Sequence, residues 1–393
     1  MNELKRQNPY VRLVFLFGFF ALSIGDAFNV LFIKQMAESF APAGQLELYI
    51  SLPVTAMSAM MIVGVISANL MVRRTGDIVS FLKVSTFITG VGMILRGVAF
   101  HYLILLLGFM AMGFGYGCFY IGIRYFAYLF EDESDRMESM AFVSGGAFAG
   151  QCLGTVLGGI MAGQMSYRMV YLISVVLLIV PFILLRNVNI DAKLVVGRIK
   201  DSFKVLTNIR SVLYLIFLVL PLFACTVFTS YTVPLSADAF GFSATVISAL
   251  MLGAYMIAAY AGPGMTKAVT KVMSAMNATF VYCIGVAFLI AVYALGKTFP
   301  LLVLVVLLLG FMDSFGPSVM TEAYTGTSKG ASYSAAEALM IYILVTRVGM
   351  TVAPTIILLF GTELALSGLV IIGMALFLII GTFVNIMAGK EKK

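Results

Sequence analysis

Apolar stretches about two dozen residues long recur roughly a dozen times along this chain, and that repetition leaves few folds open to it. The stretches lie at about 11–35, 48–72, 79–99, 102–126, 138–163, 167–186, 211–235, 243–265, 274–296, 299–321, 333–361 and 364–387. Hydrocarbon offers no water to unpaired backbone groups, so spans of this length must cross as α-helices, which satisfy their own N–H and C=O groups. Strands of a β-barrel would instead show roughly ten-residue segments of alternating polarity. Of the 393 residues, 61% are hydrophobic and only 11% charged, too few polar side chains to coat a water-soluble surface. The chain is expected to be an all-α membrane protein with twelve transmembrane helices in a lipid bilayer.

The sequence also reads twice. Shifted by about 200 residues, Ala37-Glu38-Ser39-Phe40 meets Ala237-Asp238-Ala239-Phe240, and Gly108-Phe109-Met110 meets Gly310-Phe311-Met312. Gly150 to Thr155 likewise falls on Gly349 to Pro354. A shared offset and order point to a duplicated six-helix unit. The expected division is an N-terminal bundle over 1–186, a basic connector over 187–210 and a C-terminal bundle over 211–393. The first span is too long for a signal peptide and contains Asp26, so it is expected to stay attached.

The net charge of +7 is not the footprint of a nucleic-acid binder. Its basic residues, among them Lys5, Arg6, Arg73, Arg74, Lys200, Lys204, Lys267, Lys271, Lys392 and Lys393, fall at the loops and ends that alternate with the N-terminus. By the positive-inside rule both termini and the connector are cytoplasmic, which suits a multi-pass protein of the cell membrane. The four cysteines sit in four different spans, a pattern that fits neither a disulfide framework nor a metal site. No phosphate-binding Gly-x-x-x-x-Gly-Lys-Ser/Thr loop and no nucleophile or metal motif is present, so a single-chain ATP-driven pump and an enzyme are both excluded and no cofactor is expected.

Two six-helix repeats with both ends inside resemble the major facilitator superfamily of secondary transporters. Local motifs add to the resemblance. After the second span, Asn69-Leu70-Met71-Val72-Arg73-Arg74-Thr75-Gly76 is similar to that family's inner loop, with Arg74 and Gly76 fitting and Arg73 where an acid usually stands. Gly113-Phe114-Gly115-Tyr116-Gly117 looks like its glycine run in the fourth span, although Phe109 replaces the arginine of proton-coupled members. In the fifth span Gly150, Gly154, Gly158 and Gly159 resemble the glycine stretch of drug/proton antiporters, with Thr155 in place of proline. Glycines at that spacing equally serve plain helix packing.

Ionisable residues inside spans cost roughly 2.5–3.5 kcal/mol each to insert, which makes them functional candidates. Asp26 sits mid-span with Asn29 one turn on, and its repeat-mate Thr226 is not ionisable. The resemblance places the first, fourth, seventh and tenth spans around a central cavity, so Asp26 is the candidate proton carrier beside substrate. A helix-bonding aspartate with no transport role is the structural alternative. Asp313 and Arg347 fall at matched depths of consecutive spans, where a mutual ion pair is the expected arrangement, either purely structural or responsive to bound substrate. Nearer the cytoplasm, Arg124 facing Glu322 or Glu337, with Arg74 in the neighbouring loop, forms the candidate inner gate that the family's packing implies. Snorkelling to water is the plainer reading of these side chains, as it is for Arg96 and His101 at the outer end of the third and fourth spans.

Tyr116 and Tyr120 on the fourth span, with Thr226, Ser230 and Tyr231 on the seventh, complete the expected substrate lining. Aromatic faces with sparse hydroxyls suit an amphipathic ligand, including a cation stacked on tyrosine. The leading expectation is a monomeric, proton-coupled exporter of amphipathic or cationic small organic molecules. Import of a small carboxylate received by Arg347, and a non-transporting membrane sensor with the same bundle, are the two competing readings.

Overall fold

The computed structural model describes residues 9–43, 45–130, 132–162, 164–188, 202–225, 228–229, 233, 236, 240–242, 244–328, 333–360 and 364–390. The chain divides into two compact units, Met1–Val196 and Gly197–Lys393. The first unit holds α1 (Pro9–Glu38), α2 (Leu46–Thr75), α3 (Ile78–Gly97), α4 (Tyr102–Ala127), α5 (Glu133–Ala162) and α6 (Tyr167–Arg186). The second begins with a short 3-10 turn, Phe203–Thr207, and then α7 (Ile209–Tyr214), which continues through a π-helical turn (Leu215–Val219) into α8 (Leu220–Ala224). There follow α9 (Ala244–Val272), α10 (Ala275–Gly296), α11 (Phe299–Thr325), α12 (Ala335–Phe360) and α13 (Leu364–Lys390). Counting α7 and α8 as one interrupted span, each unit contributes six helices to a twelve-helix membrane protein.

The two units use the same pairings. In the first, α1 packs on α5 and α6, α4 on α2 and α3, and α3 on α6. In the second, the α7–α8 span packs on α12 and α13, α11 on α9 and α10, and α10 on α13. This equivalence is what a duplicated six-helix unit must produce. Among the described residues, seven helices are long and apolar enough to cross a membrane by themselves. Large apolar side chains such as Phe87, Val176 and Phe288 are exposed on helix flanks; in water such patches would aggregate, and in lipid they face their proper solvent.

Glycine sets how closely helices approach. A Cβ on Gly146 or Gly150 of α5 would run into the carbonyl oxygens of Leu16 and Phe20 on α1, and one on Gly154 would meet Ile24 and Ala27. Gly150 and Gly154, two of the glycines that resembled an antiporter signature, therefore lie in a backbone-to-backbone packing seam within the first unit.

The α2–α3 corner shows how the loop is fixed. Gly76 takes a left-handed φ of 67° to end α2, and Asp77 caps α3 by accepting hydrogen bonds from the Val79 and Ser80 backbone N–H groups at 3.0 Å each. Partial burial pushes the Asp77 carboxyl up, but bonds from Ser80 and Val79 and the charge of Lys83 outweigh it, so its pKa lies below the usual 3.8. A lowered folded-state pKa makes the cap's contribution complete above about pH 4 and lost as pH falls through the lowered value. Asp77→Ala is expected to cost about 1 kcal/mol, read as a lower unfolding midpoint at neutral pH; an unchanged midpoint would contradict the cap.

Candidate functional site

Two buried cations, each dressed in aromatic rings, organise the first unit. Arg96, in the last turn of α3, is 0% exposed. Its stem lies across Gly108 of α4, and its guanidinium carbon sits 4.1 Å from the Tyr171 ring of α6 and 4.8 Å from the Phe109 ring of α4. Nη2 donates to the Met112 sulfur at 2.6 Å. Ring faces attract a cation through their quadrupole, and more so away from water. The sequence reading of Arg96 as an anchor reaching the headgroups is thus overturned. The half-buried Asp26 of α1 acts electrostatically on both Arg96 and Tyr171. Its neighbour Gly25 lies against Met93 of α3 and Met112 of α4. Asp26 and Arg96 thus lie in the same unit, near enough for one charge to act on the other.

Arg124, in the last turn of α4, is 8% exposed. Its guanidinium carbon lies 3.7 Å from the Tyr120 ring and 5.7 Å from the Phe19 ring of α1, and Nη1 donates to the Tyr120 carbonyl at 3.0 Å. Phe19 meets the rings of Tyr116 and Tyr120 edge-on at 5.5 and 5.2 Å, and the two tyrosines stack 6.3 Å apart. Arg74, by contrast, is exposed in the last turn of α2. Asn29 lies on α1 with its side chain outside the described residues, and Thr226, Ser230 and Tyr231 lie outside them altogether.

In the second unit Asp313 of α11 accepts a hydrogen bond from the Tyr282 hydroxyl of α10 at 2.7 Å. The expected ion pair with Arg347 is not what holds this carboxylate; a neutral donor on the other neighbouring helix does. Arg347 is half-buried on α12. Glu322 is buried near the end of α11. Glu337 accepts the Ser334 N–H at 2.7 Å while the Ser334 hydroxyl accepts the Glu337 N–H at 3.3 Å. That reciprocal capping box commits Glu337 to starting α12, a structural task the gate reading did not assign to it.

Tyr282→Phe removes the hydroxyl that Asp313 accepts and is expected to cost about 1.5–3 kcal/mol. Asp313→Asn with Arg347→Gln should show additive effects within about 0.5 kcal/mol. Thermal unfolding of the single and double variants checks both expectations, and a strong coupling of Asp313 to Arg347 would reinstate the ion pair.

Tyr171 and Tyr282 were missed in the sequence, and Arg96 was named there but misread. Arg96 had a signal: it lies one turn beyond Gly92, on the face of α3 whose Gly92 backbone touches Gly108 and Met112 of α4. The sequence profile of the major facilitator superfamily matches residues 15–354. The chain belongs to that superfamily. Its members are transporters and not enzymes. The human organic anion transporter MFSD10 (TETRAN) superposes with a TM-score of 0.73 at 13% identity, over 96% of this chain and 100% of that one. A variant of the E. coli fucose:proton symporter FucP gives 0.72 at 15%, over 96% and 99%. The proton:xylose symporter XylE, bound to a bromodeoxyglucose, gives 0.74 at 12%, over 95% and 94%. No curated protein sequence matches the chain. At these identities the solved structures establish a shared superfamily fold and nothing finer.

Proposed function

We propose that this superfamily member is a proton-coupled secondary transporter that moves a small amphipathic organic molecule by alternating access, with Asp26 as the group that takes up and releases the proton. The observation that carries the reading is the placement of Asp26: half-buried on α1, with Arg96 and Tyr171 within electrostatic reach. A carboxyl whose surroundings include a fixed cation exchanges between a compensated anion and a neutral acid, so protonation changes local charge without stranding a lone anion in lipid. The chain works as a monomer in the cell membrane, bundles 1–186 and 211–393 joined by a cytoplasmic connector over 187–210, with both termini inside.

Export remains the direction favoured by the resemblance of the fifth-span glycines to those of drug/proton antiporters, but packing on α1 accounts for Gly150 and Gly154 without any direction. Proton symport of a small metabolite such as a carboxylate is the second reading, favoured by two structural neighbours described as proton symporters and one as an organic anion transporter. Hydrophobic cations as substrates lose support, because the Tyr120 and Phe19 faces suited to stack on one already hold Arg124. A thermal-shift screen of purified protein against hydrophobic cations, small carboxylates and sugars tests the choice. Stabilisation by carboxylates is the expected result; stabilisation confined to cations would restore the exporter of cations.

A further inference from the structure

We propose that Arg124, together with the rings of Tyr120, Tyr116 and Phe19, is the receptor for an aromatic carboxylate, so that the transported molecule is a flat organic anion. This rests on the reading of the chain as a transporter of organic molecules and names the chemistry of its cargo.

Arg124 is more than nine-tenths buried, and a guanidinium taken out of water is expensive unless something compensates it. Its partners among the described residues are one backbone carbonyl and two ring faces, none of them anionic. A guanidinium has five N–H donors in a planar fork, and the bond from Nη1 to the Tyr120 carbonyl uses one of them. A carboxylate accepts two parallel donors along such an edge, which adds both energy and orientation. The Arg124 guanidinium carbon sits over the Tyr120 ring at 3.7 Å, so the ring covers one side of the cation and leaves the fork's edge for a ligand. The cluster next to the cation is built of aromatic groups already in edge-on and stacked contact with one another. A further flat ring attached to the carboxylate extends that cluster with offset or edge-on geometry. A saturated polyol offers neither the charge nor the ring face. A cationic ligand meets like charge in a site of low dielectric.

A plain structural reading is also available for an arginine in the last helical turn, which bonds its own helix carbonyls and favours the negative end of the dipole. That role predicts no dependence of ligand affinity on Arg124, and the difference is measurable. The chain contains no tryptophan, so Tyr120→Trp creates a single indole that keeps an aromatic face on Arg124. Para-nitrobenzoate, the uncharged para-nitrobenzamide and the cation para-nitrobenzylamine are titrated into the purified variant, each corrected for inner-filter absorbance.

Saturable quenching is expected for the carboxylate, with the amide binding at least about tenfold more weakly and the cation failing to compete. Adding Arg124→Gln to the same background should weaken the carboxylate by about tenfold or more, and Arg124→Lys should recover part of the loss as a point charge without the fork. Equal quenching by carboxylate and amide, or unchanged affinity after Arg124→Gln, overturns the proposal. Should the indole itself disturb the site, the unmodified protein is challenged with the same three compounds by thermal shift. Failure there to prefer the carboxylate also overturns it. Binding is read in detergent with no gradient, so a protein that binds the carboxylate and transports nothing refutes the transporter reading and leaves the receptor standing.

Discussion

Asp26→Asn is expected to reduce transport driven by a pH gradient to background while leaving exchange of labelled for unlabelled solute in place. The amide is close to the carboxylic acid in size and hydrogen-bonding capacity, but it cannot release a proton. The variant therefore imitates the protonated intermediate of the cycle and holds the protein there. Arg96 loses a counter-charge in that state, yet the aromatic faces of Tyr171 and Phe109 and the sulfur of Met112 remain around it, so folding should survive. Proteoliposomes with an imposed gradient check the first half of the expectation, and counterflow without a gradient checks the second. Gradient-driven uptake at the wild-type rate in Asp26→Asn would remove proton coupling from this residue.

Gly150→Leu is expected to abolish recovery of folded protein. The glycine Cα of α5 faces the Phe20 carbonyl of α1 closely enough that even a methyl group has no room, and the obstacle is backbone that cannot rotate away. Accommodating a leucine means separating two helices that are packed along the whole seam of Gly146, Gly150 and Gly154, at a cost well above the about 1–3 kcal/mol of ordinary overpacking. Gly264 of α9 provides the control, since nothing lies within 4 Å of the position a Cβ would take. Gly264→Leu should leave the protein monodisperse on size exclusion, with its unfolding midpoint nearly unchanged. A well-folded Gly150→Leu protein would show that α1 and α5 separate at little cost, contrary to the packing described.

The architecture was legible because hydrophobicity over a span's length is a strong, additive signal, and because duplication leaves residue-level traces at a constant offset. The glycine spacing was legible as well, but its meaning was not. Whether Gly150 serves packing or transport depends on what lies opposite, and the opposite residues, Phe20 and Ser23, are far away in the chain. Charges were harder still. The cost of inserting Arg96, Asp313 and Arg124 into a span can be read from sequence, whereas their partners cannot. The rings of Tyr171 and Phe109 took the role of counter-groups for Arg96, and the Tyr282 hydroxyl took the one expected of Arg347 at Asp313. Aromatic residues are so common in membrane helices that a tyrosine bound to a charge looks like any other until the helices are packed. Glu337 shows the opposite case: Ser334 and Glu337 spell a capping box at the start of α12, a local pattern that was available before any fold was known.

Central to the account is that movement of an organic solute is tied to movement of protons, and the direct measurement is the internal pH of proteoliposomes when only a solute gradient is applied. Vesicles of purified protein are loaded with a pH-sensitive dye at equal internal and external pH, and para-nitrobenzoate is then added outside, in a range below the level at which its neutral form leaks across protein-free vesicles. The account predicts a protein-dependent internal pH change that saturates with solute concentration and disappears in Asp26→Asn vesicles. Solute entering through the protein with no pH change beyond that of Asp26→Asn vesicles would contradict it.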